Sequence, residues 1–137
     1  MIFKKILLAF LYLPVIIFAQ ETNYPEDVKR VISNLEEKME DVSNPIIATY
    51  LGSEFGDYFY FLFKDIDEKI YDFAYGDNDL GDIPFGDNDA LTNSDLVGKK
   101  FIIYWEWKPS SFHCCEGRMN LYKANFPSIL KIKYANK

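Results

Sequence analysis

The stretch Gly56 to Tyr75, G-D-Y-F-Y-F-L-F-K-D-I-D-E-K-I-Y-D-F-A-Y, limits the fold more than any other part of the chain. Tyr58 to Phe63 is aromatic or aliphatic without a break, and such residues fit a pleated surface. Asp65-Ile66-Asp67-Glu68 then supplies turn chemistry, because Asp side chains accept hydrogen bonds from nearby backbone N–H groups. The spacing predicts a β-hairpin. Alternation along a strand puts Phe59, Phe61 and Phe63 on one face and Tyr58, Tyr60 and Leu62 on the other. The return strand carries Tyr71, Phe73 and Tyr75 on one face, with Ile70, Asp72 and Ala74 behind. The Phe face is expected to be core, each fully buried ring contributing roughly 1.5–3 kcal/mol. The Tyr face has two readings: another layer covers it, such as an N-terminal helix, or it stands partly exposed as an aromatic platform.

The remaining elements follow from periodicity. Val28, Val31, Ile32, Leu35, Met39 and Val42 form one helical stripe, predicting an amphipathic helix over 24–42 capped by Thr22 or Asn23 and ended by Ser43-Asn44-Pro45. Ile46 to Leu51 is a predicted strand. Phe101 to Trp107 is another, with Pro109 to Gly117 as a loop after it. Met119 to Asn125 and Ser128 to Tyr134 are predicted as two further strands separated by Pro127, with Leu130, Ile132 and Tyr134 inward. The expected class is mainly β (α+β): a small curved sheet or barrel of five to six strands, OB-like or SH3-like, with one N-terminal amphipathic helix.

Met1 to Ala19 reads as a secretory signal peptide. Lys4 and Lys5 precede the apolar run Ile6 to Phe18, which is short for a membrane span of about 20 residues. Residues 20–137 are then one domain, periplasmic or secreted, with no stable membrane span after signal removal. Net charge is −6, and losing Lys4 and Lys5 makes the mature chain more acidic. That balance opposes phosphate backbones and anionic lipid, so nucleic acid is excluded as a general partner.

Gly76-Asp77-Asn78-Asp79 recurs ten residues later as Gly86-Asp87-Asn88-Asp89, with Asp82 between. Asp77, Asp79, Asp82, Asp87 and Asp89 are candidate Ca²⁺ ligands, since that cation takes six to eight oxygens. The EF-hand pattern fails, with Gly one place early and no Glu at position twelve. Turn chemistry is the competing reading of the same residues. No other cofactor is implied.

Cys114 and Cys115 are the only cysteines and are adjacent, beside the only histidine, His113. They could form a vicinal disulfide, remain as thiols or bridge two chains. A metal site would need ligands from a second cluster, which is missing. No nucleophile partner for His113 is evident, and a Glu106–Asp72 carboxylate pair is easily met by chance in so acidic a chain. The chain is therefore read as non-enzymatic, a small hydrolase being the remaining class.

With Tyr71-Asp72-Phe73, Val97-Gly98-Lys99-Lys100-Phe101, Tyr104-Trp105-Glu106, Cys114-Cys115-Glu116-Gly117 and Pro127-Ser128-Ile129, the chain resembles a group of small exported proteins of uncharacterised function from flavobacteria and their relatives. The resemblance implies export and carries no activity with it. The functional expectation is a binding or interaction module for a glycan, peptide or protein, using Tyr58, Tyr60, Trp105, Glu106 and Trp107, since aromatic faces with carboxylates suit sugars and peptides. A calcium-stabilised structural domain is the alternative.

Overall fold

The computed structural model describes residues 23–55, 59–85, 95–115 and 120–136. The predicted signal segment lies outside them, as do Thr22, Tyr58, Asp87 and Asp89. The elements are α1 (Glu26–Met39), β1 (Ile46–Phe55), β2 (Phe59–Asp65), β3 (Ile70–Tyr71), β4 (Lys100–His113) and β5 (Leu121–Tyr134). The strands form one antiparallel sheet in the order β3-β2-β1-β4-β5.

The hairpin is present. β2 turns at Asp65, whose Oδ1 accepts the N–H groups of Asp67 and Lys69 at 2.9 and 3.0 Å. Phe63 is fully buried and Phe61 packs against the same core. The return strand is much shorter than predicted. Phe73 takes a left-handed conformation (φ 46°), which an extended strand cannot contain, so pairing stops at Tyr71. The ring of Phe73 is nevertheless buried beside Tyr71, at 6.3 Å between centroids.

The predicted helix is two to three residues shorter at each end. Asp41 is left-handed (φ 59°) just past Met39, which ends the helix before the Ser43-Asn44-Pro45 signal. Capping also differs: Pro25 precedes the first turn and no side chain caps it, although Glu26 and Asp27 in that turn favour its positive end. The stripe faces inward, with Val28 and Met39 buried and Val31, Ile32, Leu35 and Val42 partly buried. Val28, Val31, Ile32 and Leu35 join Phe112, Phe126, Cys114 and Tyr75 in one apolar cluster, while Met39 and Val42 reach a second, around Tyr50, Phe63, Phe85, Phe101 and Ile129. The helix packs on β5 and not on the Tyr60–Leu62 face of β2, so it is not the layer that covers the tyrosine side.

β4 and β5 correct two expectations. Pro109 begins no loop, and Pro127 breaks no strand; each sits inside a fourteen-residue strand, paired with Asn125 and Trp107 respectively. The reason is their place in the ladder. Beyond Ile103, β4 has lost β1 as a neighbour, so the hairpin is two-stranded there. Trp105 and Ile129 direct their backbone groups away from each other, to Asn44 and to the 78–79 segment. Pro127 and Pro109 stand two and four residues along the same alternation, where a missing N–H disturbs no ladder bond.

A bulge sets which residues go inward. Tyr104 pairs with Lys131 but Trp105 pairs with Ile129, leaving Leu130 as the extra residue. Leu130 is therefore exposed and Ile129 fully buried, reversing the prediction for Leu130. Ile132 is buried as expected and Tyr134 is half exposed. On β4 the buried set changes from Phe101, Ile103 and Trp105 to Phe112, so the two clusters lie on opposite faces of one long hairpin. A second bulge, between Tyr50 and Gly52, uses the positive φ (130°) of Gly52.

The sheet is not closed, which corrects the barrel expectation: strand pairing ends at β3 and at β5. Segment 72–80 and the end of α1 lie between those edges. Tyr71, Phe73, Tyr75, Leu35, Met39 and Phe126 line a cavity of 20 Å³ there. Segment 76–79 also satisfies β5's outer edge. Asp79 N–H donates to Ile129 O (2.8 Å), Ile129 N–H to Asn78 Oδ1 (2.8 Å), and Asp77 N–H to Ser128 Oγ (2.9 Å). Covering an edge in this way prevents its pairing with another chain.

Candidate functional site

The expected ligand face does not assemble as one surface. Tyr60 pairs with Glu54 near the end of β1, whereas Trp105 stands opposite Asn44, just before β1 begins. That separation is about 30 Å of strand. Tyr60 is also on the outer face and Trp105 on the inner. Tyr58 lies outside the described residues.

Trp105 is held as a structural anchor. Its ring is 8% exposed and Nε1–H donates to Ser43 O at 2.9 Å. Its backbone is gripped by Asn44, whose Nδ2 donates to Trp105 O (2.6 Å) and whose Oδ1 accepts the Trp105 N–H (3.2 Å). The carboxamide thus continues the β1–β4 ladder by one position. Glu106 is exposed, and alternation points it away from both tryptophans.

Trp107 differs. It is 38% exposed, 6.4 Å from Trp105 between ring centroids, and it walls two open grooves beside α1. One groove, of 570 Å³, is lined with Tyr24, Ile32, Glu36, Pro109, Lys123 and Asn125. The other, of 590 Å³, is lined with Ser33, Glu36, Glu37, Met39 and Glu40. Glu36 and Trp107 border both. At the outer end, Tyr24 Oη donates to Lys123 O and its ring meets Tyr122 edge-on at 6.3 Å, tying the start of the helix to β5. The result is an apolar ring with carboxylates on one side and an amine and a carboxamide on the other. An indole face accepts sugar rings, apolar side chains or cations, and the polar rim orients them.

Sequence reasoning reached Trp107 but not Tyr24, Glu36, Lys123 and Asn125. The helix pattern does place Glu36 one turn from Ile32, beside the apolar stripe. Which strand that border meets depends on the hairpin register, which has no local signal.

The acidic loop is partly described. Asp77 pairs with Lys108 at 3.1 Å, Asp79 Oδ1 accepts the Gly81 N–H at 2.9 Å, and Asp82 is exposed. Asn78 Nδ2 donates to Phe73 O at 2.8 Å. These contacts are turn and edge chemistry. Among the described residues no three His, Cys, Asp or Glu side chains cluster as a metal-binding group. Cys114 and Cys115 have their sulfurs bonded to each other, and Cys114 is buried in the cluster with Phe112 and Val28. His113 is exposed. Asp72 accepts its own turn's Ala74 N–H at 3.3 Å, while Glu106 faces outward opposite Ser128.

The groups whose titration is displaced lie away from the Trp107 grooves. Burial pushes the Tyr71 hydroxyl up, and the hydrogen bond to Asp65 adds to it. Burial also raises Tyr50, against a smaller opposing effect of its Ser53 contact. Among the described residues no helix is long and apolar enough to cross a membrane. No family model matches the chain, and neither a characterised protein nor a solved structure is significantly similar to it.

Proposed function

We propose that the chain is an exported, non-enzymatic binding module that holds an extended polar ligand, an oligosaccharide or a peptide, across Trp107. One observation carries this reading. A half-exposed indole separates two grooves, each large enough for a ligand group and each rimmed by side chains able to hydrogen-bond it. Export rests on the Lys4-Lys5 and Ile6 to Phe18 pattern. The same reading treats the curled, open sheet as an opened barrel of the OB-like or SH3-like kind, and OB-type barrels hold oligosaccharides.

The test is tryptophan fluorescence titrated with glycan and peptide panels, on the protein and on Trp107→Ala. The expected result is a saturable change with one class of ligand that disappears in the variant. Silence across both panels ends the proposal.

A further inference from the structure

The overall acidity of the chain conceals a basic face. Strand registers and alternation put Lys64 of β2, Lys100 of β4, and Lys131 and Lys133 of β5 on the outer side of the sheet, opposite Phe63, Phe101 and Ile103. Ile47, Ile70 and Ile102 stand among them, the first two well exposed. Ile66, at the tip of the β2–β3 turn beside this face, is 93% exposed. α1 packs on β5 and on the far end of β4 at Phe112, away from β1 and β2. Lys64 meets Glu68 at 2.8 Å, and the Lys133 ammonium lies 5.6 Å from the Tyr104 ring centroid. Lys100, Lys131 and Lys133 are exposed; Glu54 and Glu106 fall at the two ends of this side, and Asp65 and Glu68 of the β2–β3 turn border the groove that Ile47, Lys64 and Lys100 line.

The kind of partner follows from the kind of donor. The described part of this face has no arginine, asparagine or glutamine, so it lacks the forked groups that read a carboxylate or a sugar hydroxyl in one fixed geometry. Ammonium groups on flexible stems answer diffuse negative charge, and the aliphatic side chains between them suit an apolar boundary. We propose that this face docks on an anionic lipid surface. Near such a surface each lysine contributes about 1 kcal/mol, and the exposed isoleucines add apolar contact. The acidic groups elsewhere, including Glu36, Glu37 and Glu40 beside Trp107, would orient the molecule with the basic side down. The proposal is independent of what Trp107 binds.

Cosedimentation with vesicles tests it. Phosphatidylcholine vesicles carrying about a third phosphatidylglycerol should bind the protein at low ionic strength and release it as salt rises, while phosphatidylcholine alone should not bind. Lys100→Gln/Lys131→Gln/Lys133→Gln should weaken binding about a hundredfold, roughly fivefold per lysine. Lys29→Gln/Arg30→Gln, on the exposed side of α1, removes similar charge and should change it less than about twofold. Ile66→Ser, at a position too exposed to affect folding, should weaken it severalfold. Absence of binding to the anionic vesicles would overturn the proposal and leave an acidic protein as the partner chemistry. Equal binding to neutral vesicles, or equal loss in the helix variant, would overturn it too.

Discussion

Asn78 Oδ1 accepts the backbone N–H of Ile129 at 2.8 Å, across 51 positions of sequence. The same carboxamide donates to Phe73 O at 2.8 Å. One side chain therefore holds both the left-handed turn that ends β3 and the outer edge of β5. It bridges the two sides of the open sheet where strand pairing is missing.

Asn78→Ala removes both bonds and leaves the Ile129 N–H without its acceptor. The expected cost is about 2–4 kcal/mol, a fall in melting temperature on the order of 10 °C. Thermal unfolding followed by circular dichroism measures it. An unchanged midpoint would show that the segment does not secure the sheet.

Gly76 allows the same segment to approach. A Cβ there would meet the backbone O of Pro127 and lie 2.9 Å from Ser128 Oγ. Gly76→Ala should destabilise by about 1–3 kcal/mol, because backbone cannot move aside as a flexible side chain can. Chemical denaturation of the variant is the measurement, and a gain in stability would contradict this packing.

Asp65 gives an acid-sensitive contribution. Burial raises its carboxyl, but the Tyr71 hydroxyl at 2.8 Å, the N–H groups of Lys69 and Asp67, and the Lys69 charge outweigh that, and it titrates below the usual range. A carboxyl more easily ionised in the folded state adds stability above its unfolded pKa, near about 4, and that stability is lost as pH falls through the lower folded value. Tyr71→Phe removes one of these donors. Its unfolding midpoint should fall less steeply than the wild type's from about pH 4 downward. Parallel pH profiles would show that Tyr71 does not hold the carboxylate.

The two tryptophans should separate experimentally. Trp105→Ala opens the core and frees the Ser43 carbonyl, costing about 3–5 kcal/mol, whereas Trp107→Ala should cost about 1 kcal/mol or less. Iodide should quench the emission of Trp107 and spare that of Trp105. Equal quenching would contradict the burial assigned to Trp105.

Calcium provides a further test. Asp77 is engaged by Lys108 and Asp79 by its own turn, so millimolar Ca²⁺ or EDTA should leave the melting temperature unchanged. A rise with Ca²⁺ would instead assign the acidic segment to cation binding.

Much of this architecture is local and could be read from residues. Alternation placed Phe61 and Phe63 inward, the helical stripe placed Val28 to Met39 against an apolar core, and the Asp65 turn joined β2 to β3. Each depends on neighbours within a turn or a few residues, where side-chain period and backbone preference act directly. What the tertiary structure decided is where long-range pairing sets the outcome. Pro109 and Pro127 remain in their strands because the ladder leaves their N–H positions facing outward, and Leu130 is expelled by a bulge whose partner is 26 residues away, at Tyr104. Trp105 became an anchor and Trp107 a groove wall although they are two residues apart on one face, because Asn44 and Ser43 close over the first and the second is left at the border of α1. Periodicity assigns a face to each side chain, but only the register and the packing of distant elements determine what that face meets.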